Sequence, residues 1–243
     1  MSKIYDALKR AEREREGNRD RGGRDNGHPA VPVATRNGQE EEDDDYRRLR
    51  ASLLFAPAYS DARTIAVTAT RHGEGATRVA VGLARALAAE GDARVLLVEA
   101  NLRTPAFAQK LPVAKGPGLA ELLAGEASAA SLIAPVRDWN LSVITAGQRQ
   151  GGIDCEAIAG AIAEVMGQFD FVIIDLPPVS RYVDTAILAP KVDGVMLVVE
   201  ADRTPVAVAE SAKRSLDQVG ARIFGVVLNR RRSYVPATLQ ALL

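Results

Sequence analysis

The sequence predicts a three-layer α/β domain around a mostly parallel sheet. Three observations carry this. The runs TIAVTA, RVLLVEA, LSVITA, FVIIDL, VMLVVE and IFGVVLN are short, rich in Val and Ile and nearly continuous in apolar character, as strands buried on both faces are. Helical periodicity fills the intervals between them. A glycine-bearing turn, RHGEGATR at 71–78, joins the first run to the first of these helices, which is the setting of a phosphate-binding loop.

Ahead of that alternation, residues 1–16 read as an amphipathic helix. Ser2 caps it, and Ile4, Ala7, Leu8 and Ala11 share one face. Residues 17–43 read as a disordered linker, rich in Gly, Arg, Asn and Pro, closed by the acidic run EEEDDD. The main domain spans 44–232. It opens with a helix through Leu49, Leu53 and Leu54, and helices follow at 77–90, 119–123, 155–166, 183–188 and 205–219. Residues 233–243 form a tail that carries Tyr234. Right-handed crossovers put every strand's C-terminal end on one edge. That edge collects residues 70–77, 99–103 and 175–178 together with Asn229.

Composition narrows the function. The 243 residues carry zero formal net charge, which gives no footing for nucleic acid as a partner. Cys155 is the single cysteine, so an intramolecular disulfide framework is excluded. No apolar run approaches the roughly 20 residues that span a bilayer. The start MSKIYDALKRAERER lacks the apolar core of a signal peptide. The expectation is a cytoplasmic protein that meets a membrane only through a partner.

The predicted edge has the makings of a nucleotide site. Gly73 and Gly75 let backbone N–H groups close around an anion at a helix start. Thr77 offers a hydroxyl to magnesium. Asp175 ends a strand as a Walker B acid does, and Glu99, Asn101 and Arg103 end another. The loop departs from its usual form at one place: the lysine that reaches the β- and γ-phosphates is replaced by Ala76. Arg71, five residues earlier, and Arg78, just after Thr77, each offer a guanidinium in compensation. Arg78 equally suits a solvent-facing position on the helix's first turn. Asn229 fits either a turn or a contact to a nucleotide base.

In this order, DYRRLRASLLF, TATRHGEGATR, VLLVEANLRTPAF, GPGLAELLAGE and FDFVIIDLPPV resemble the bacterial tyrosine kinases of exopolysaccharide and capsule synthesis, a branch of the MinD/ParA-like P-loop proteins. The resemblance covers residues 44–232. It implies a MinD/ParA-like P-loop fold, ATP and magnesium (Mg2+) as cofactors, and Thr77, Glu99 and Asp175 around the metal. It also implies a nucleotide cradle of Gly73, Glu74, Gly75, Ala76, Thr77 and Arg78. The implied partners are a membrane polysaccharide co-polymerase or chain-length determinant protein, and a second copy or a related active kinase. The family's oligomerisation motif Glu-x-x-Arg-x-x-Arg corresponds to Asp44, Arg47 and Arg50.

The departures point away from full activity. The family's Gly-Glu-Gly-Lys-Ser/Thr is Gly73-Glu74-Gly75-Ala76-Thr77, and its Asp-x-Asp-x-Arg is Glu99-Ala100-Asn101-Leu102-Arg103. Its C-terminal tyrosine cluster is reduced to Tyr234. The expectation is a kinase-like regulator or scaffold with impaired catalysis. The alternatives are an active ATP-dependent tyrosine autokinase and a MinD/ParA-type partitioning ATPase.

Overall fold

The computed structural model describes residues 31–32, 39–55, 61–89, 93–137, 139–148 and 153–231. The helix expected at 1–16, the tail with Tyr234 and most of the expected linker lie outside them. The described strands are β1 (Val31–Pro32), β2 (Thr64–Ala69), β3 (Val95–Glu99), β4 (Ala134–Pro135), β5 (Leu141–Ile144), β6 (Phe171–Asp175), β7 (Gly194–Glu200) and β8 (Ile223–Asn229). They form one sheet in the order β1-β8-β7-β2-β6-β3-β5-β4. Only β4, at an edge, runs antiparallel to its neighbour. Each of the six sequence-predicted strands is present at its expected place.

The helices are α1 (Gln39–Leu54), α2 (Ala76–Ala89), α3 (Phe107–Lys110), α4 (Leu119–Leu123), α5 (Cys155–Val165), α6 (Val183–Leu188) and α7 (Val206–Gln218). Short 3₁₀ turns extend or separate them. Side chains alternate across each strand, so successive residues enter two cores on opposite faces. Leu96, Val98, Val172 and Ile174 pack under α5 and α7. Val95, Leu97, Ile65, Val67 and Ile173 pack under α1 and α2.

Two features depart from the sequence expectation. Val31–Pro32, inside the expected linker, pairs in parallel with Val227 and Leu228 of β8. The acidic run is helical: α1 begins at Gln39, so the expected domain start at residue 44 falls inside it. Acidic residues favour the first turns of a helix because the N-terminal end of the macrodipole is positive. The buried face of α1 is Tyr46, Leu49 and Leu53. Tyr46 sets the spacing to α2: its ring lies where a Cβ on Gly82 would stand, 2.2 Å from the nearest ring carbon. A glycine in mid-helix usually weakens the helix. Here it admits the ring, whose hydroxyl donates to the Arg78 carbonyl at 3.2 Å.

Candidate nucleotide site

β2 is central, with β7 on one side and β6 on the other. From it the chain passes over β6 to reach β3, so the crevice at the strand ends opens beside the β2–α2 turn, the usual ligand position in such sheets. Gly73 and Gly75 take φ of +88° and +95°, values open to glycine at little cost. The turn delivers the chain into the 14-residue α2, whose N-terminal N–H groups and dipole favour an anion.

Glu74 does not face that anion position. Its carboxylate is 2% exposed and turned into the protein. It accepts from the Thr70 hydroxyl at 2.7 Å, the Arg71 N–H at 2.9 Å and the Thr204 hydroxyl at 2.5 Å. Asn229, also buried, donates its amide to the Glu74 carbonyl at 2.7 Å and accepts from the Arg230 N–H. Neither sequence reading of Asn229, a turn or a contact to a nucleotide base, included this role as a brace of the loop. Thr204 carried no sequence signal, because it is a lone threonine beside a strand end.

Asp175 ends β6 in register with Val67 of β2 and Glu99 of β3. It is buried, and the Thr77 hydroxyl lies near it without closing a hydrogen bond of normal geometry to either carboxylate oxygen. Burial pushes its pKa up to about 8, with the Thr77 hydroxyl pulling the other way and the Glu99 charge adding to the rise. A buried acid beside a threonine hydroxyl suits a hard cation that keeps most of its shell as water and phosphate oxygens. Among the described residues no group of three or more His, Cys, Asp or Glu side chains converges on one point, so a dedicated protein cage is absent there.

Glu99, expected at the metal, is committed elsewhere. Its carboxylate accepts three backbone N–H groups, from Ala106 at 2.5 Å, Phe107 at 2.7 Å and Ala146 at 3.0 Å. It ties the β3 loop and the start of α3 to the end of β5. Asn101 closes a turn, with Oδ1 accepting from the Thr104 N–H at 3.2 Å and Nδ2 donating to the Thr104 hydroxyl at 3.1 Å. Arg103 grips Asp184, at the start of α6, with Nε at 3.1 Å and Nη2 at 3.4 Å, and lies over the Tyr182 ring. Asp184, Tyr182 and Ser180, whose hydroxyl donates to the Thr70 carbonyl, are site-framing residues the sequence reading missed.

Ala76 and Thr77 are half-buried at the start of α2, and Arg71 is exposed, its N–H tied to Glu74. The Arg78 side chain lines a groove between α1 and α2. Asp44 and Arg47 lie exposed on α1 and pair with each other at 2.8 Å, while Arg50 is half-buried on the same helix. Leu53, further along the same helix, is buried in the core. Cys155 is buried against the Asp184 carbonyl, and burial raises its thiol pKa, so it is an inert packing group.

No family model matches the chain. The succinoglycan biosynthesis transport protein ExoP of Rhizobium meliloti (strain 1021) is 33% identical over 180 residues, 71% of this chain and 23% of ExoP. The chain thus spans about a quarter of that relative's length. The tyrosine-protein kinase CpsD of Streptococcus agalactiae is 29% identical over 191 residues, 76% of this chain and 82% of CpsD. Among solved structures, the chimerical protein CapA2B2 superposes with a TM-score of 0.76 at 25% identity, over 84% of this chain and 95% of that one. The cell division ATPase MinD of Pyrococcus furiosus does so with 0.60 at 26% identity, over 73% and 77%. No described helix is long and apolar enough to cross a membrane.

Proposed function

With this chain a member of the bacterial tyrosine-kinase family of exopolysaccharide and capsule synthesis, in the MinD/ParA-like branch of P-loop proteins, we propose that it is a kinase-like regulatory or scaffolding protein of that process, impaired in phosphoryl transfer. The observation that carries this reading is Ala76. Phosphoryl transfer is mostly positioning and charge neutralisation, and the loop presents a methyl group where its charge belongs. A charged hydrogen bond contributes about 1.5–3 kcal/mol, so its loss weakens binding by about 10- to 100-fold. The committed side chains of Glu99 and Asn101 support the same reading.

Bound ATP would supply the phosphoryl group. Of this chain's own residues, the N–H groups of 73–77 would surround the phosphates, and Thr77 and Asp175 would hold magnesium. Arg71 is the better placed of the two arginines to add charge, since Arg78 lies in the α1–α2 groove. Its planar fork does not reproduce a lysine. The proposed setting is the cytoplasmic face of the membrane, with a polysaccharide co-polymerase or chain-length determinant as partner and a second copy or a related active kinase alongside.

A second reading, an active tyrosine autokinase, is favoured by the buried Asp175 standing beside Thr77 at the end of β6. Calorimetric titration with magnesium-ATP, followed by phosphotyrosine detection, separates the two. Affinity weaker than micromolar and no autophosphorylation are expected. Ala76→Lys should restore binding more than turnover, because Asn101 remains. Robust phosphotyrosine on the unmodified protein would establish the autokinase reading.

A further inference from the structure

The charge missing at Ala76 has a source on another element. Glu99 ends β3 in register with Asp175 of β6, and its carboxylate holds the N–H groups of Ala106 and Phe107. That pins the start of α3 at the nucleotide edge, with Phe107 fully buried. One turn on, the helix ends at Lys110, which is exposed. Lys110 borders the groove on the flank of α2 together with Arg78, the third residue of that helix. Its charge also reaches Asp175: burial raises the pKa of that carboxyl, and the Lys110 ammonium is among the groups that pull it back. One flexible side chain thus stands near the start of α2, where Ala76 lies, and near the acid at the end of β6.

The neighbouring arginines are already engaged. Arg103 is held by Asp184, Arg85 by Asp43 and Arg47 by Asp44, and Arg78 also has an interaction partner. Among the described residues, no ion pair or hydrogen bond holds the Lys110 ammonium. The nearby acids do not claim it: Asp43 is paired with Arg85, and the Glu99 carboxylate is taken up by backbone N–H groups. We propose that Lys110 binds the phosphates of a magnesium nucleoside di- or triphosphate at the 73–77 turn, supplying from α3 the charge that the loop lacks at Ala76. This rests on the reading of that turn as a nucleotide site. A lysine ammonium is a point charge on a four-carbon stem, so it can serve a phosphate from a different backbone position. The loop keeps its share of the work, the N–H groups and the dipole of α2. Lys110 restores hold on the ligand, while Asn101 still limits transfer.

Calorimetric titration of the full chain with magnesium-ADP and magnesium-ATP tests this in a double-substitution cycle. Lys110→Gln should weaken binding by about tenfold, and Lys110→Arg by less, with the melting temperature of the free protein unchanged. In the Ala76→Lys background the same Lys110→Gln change should cost about twofold or less, because the loop then carries its own charge. A residue that only supports the fold would lose as much in both backgrounds. Equal affinity of the parent and Lys110→Gln, an undiminished loss in the Ala76→Lys background, or a loss on Arg71→Gln in place of Lys110→Gln would each overturn the proposal and leave the nucleotide site standing. No binding by the parent at millimolar nucleotide would overturn it as well. Binding gained by Ala76→Lys would in that case keep the reading of the turn, and no binding by either protein would end both.

Discussion

The side-chain amide of Asn229 donates to the carbonyl oxygen of Glu74 across 2.7 Å, so the end of the last strand holds the turn that follows β2. Gly75, the next residue, has φ of +95°, and a Cβ there would stand 2.2 Å from that amide nitrogen. Gly75→Ala should therefore destabilise by about 1–3 kcal/mol from the backbone conformation, and by more from the collision. Asn229→Ala removes the collision but leaves a buried carbonyl unpaired. The double variant should cost less than the sum of the single variants. A thermal-melt cycle measures the coupling, and strict additivity would mean the contact is absent in solution.

Asp175 predicts a pH dependence with a definite sign. Its carboxyl has a folded pKa of about 8 against an ordinary value of 3.8, chiefly from burial. Above about pH 4 the unfolded chain has released this proton while the folded chain keeps it. Stability from this group is therefore full below pH 4 and declines as pH rises towards about 8. Asp175→Asn should flatten that decline and raise the melting temperature more at pH 8 than at pH 5. Millimolar magnesium should protect the unmodified protein at pH 8 and leave the asparagine variant unchanged. A melting profile in which the variant tracks the parent at every pH would contradict the burial argument.

Restoring the family's residue at position 99 should harm the fold. The Glu99 carboxylate spans backbone N–H groups from residues 106, 107 and 146. Aspartate is shorter by one methylene and would not reach all three. Each buried donor left without an acceptor costs about 1–3 kcal/mol. Glu99→Asp is expected to lower the denaturant midpoint and to speed hydrogen exchange at the Phe107 and Ala146 amides. Unchanged protection there would show that the carboxylate is dispensable to the loop.

The strands and longer helices were legible because their patterns are local: Val- and Ile-rich runs and a 3.6-residue period say where an element lies without naming its neighbour. The edge carrying residues 70–77, 99–103 and 175–178 followed from crossover handedness alone. What escaped was set by distant partners. Glu74 reads as ligand-facing in a glycine loop, and its contacts with Thr70, Arg71 and the distant Thr204 show it turned inward. Gly82 reads as a weak point in a helix until the Tyr46 ring fills its missing Cβ. Helix α3 has four residues, too few to show a period.

The assembly motif can be tested without touching the core. Asp44 and Arg47 pair at 2.8 Å with both side chains 60% exposed. An exposed pair of this kind is worth about 0–1 kcal/mol, so removing it barely affects the fold. Its charges are exposed to solvent, while Tyr46, Leu49 and Leu53 anchor the inner face of α1. A guanidinium so placed can exchange its local acid for a carboxylate on another molecule with bidentate geometry. With Leu53 buried, that contact would be mainly ionic and weakened by salt, since the Debye length shrinks from about 10 Å at 0.1 M to about 3 Å at 1 M. Arg47→Ala combined with Arg50→Ala should leave the melting temperature within a few degrees of the parent. It should also abolish salt-sensitive self-association, or association with a related kinase, in sedimentation velocity. A parent protein that sediments as a monomer at high concentration and low salt, and captures no co-expressed relative, would leave Asp44, Arg47 and Arg50 as a solvated helix face.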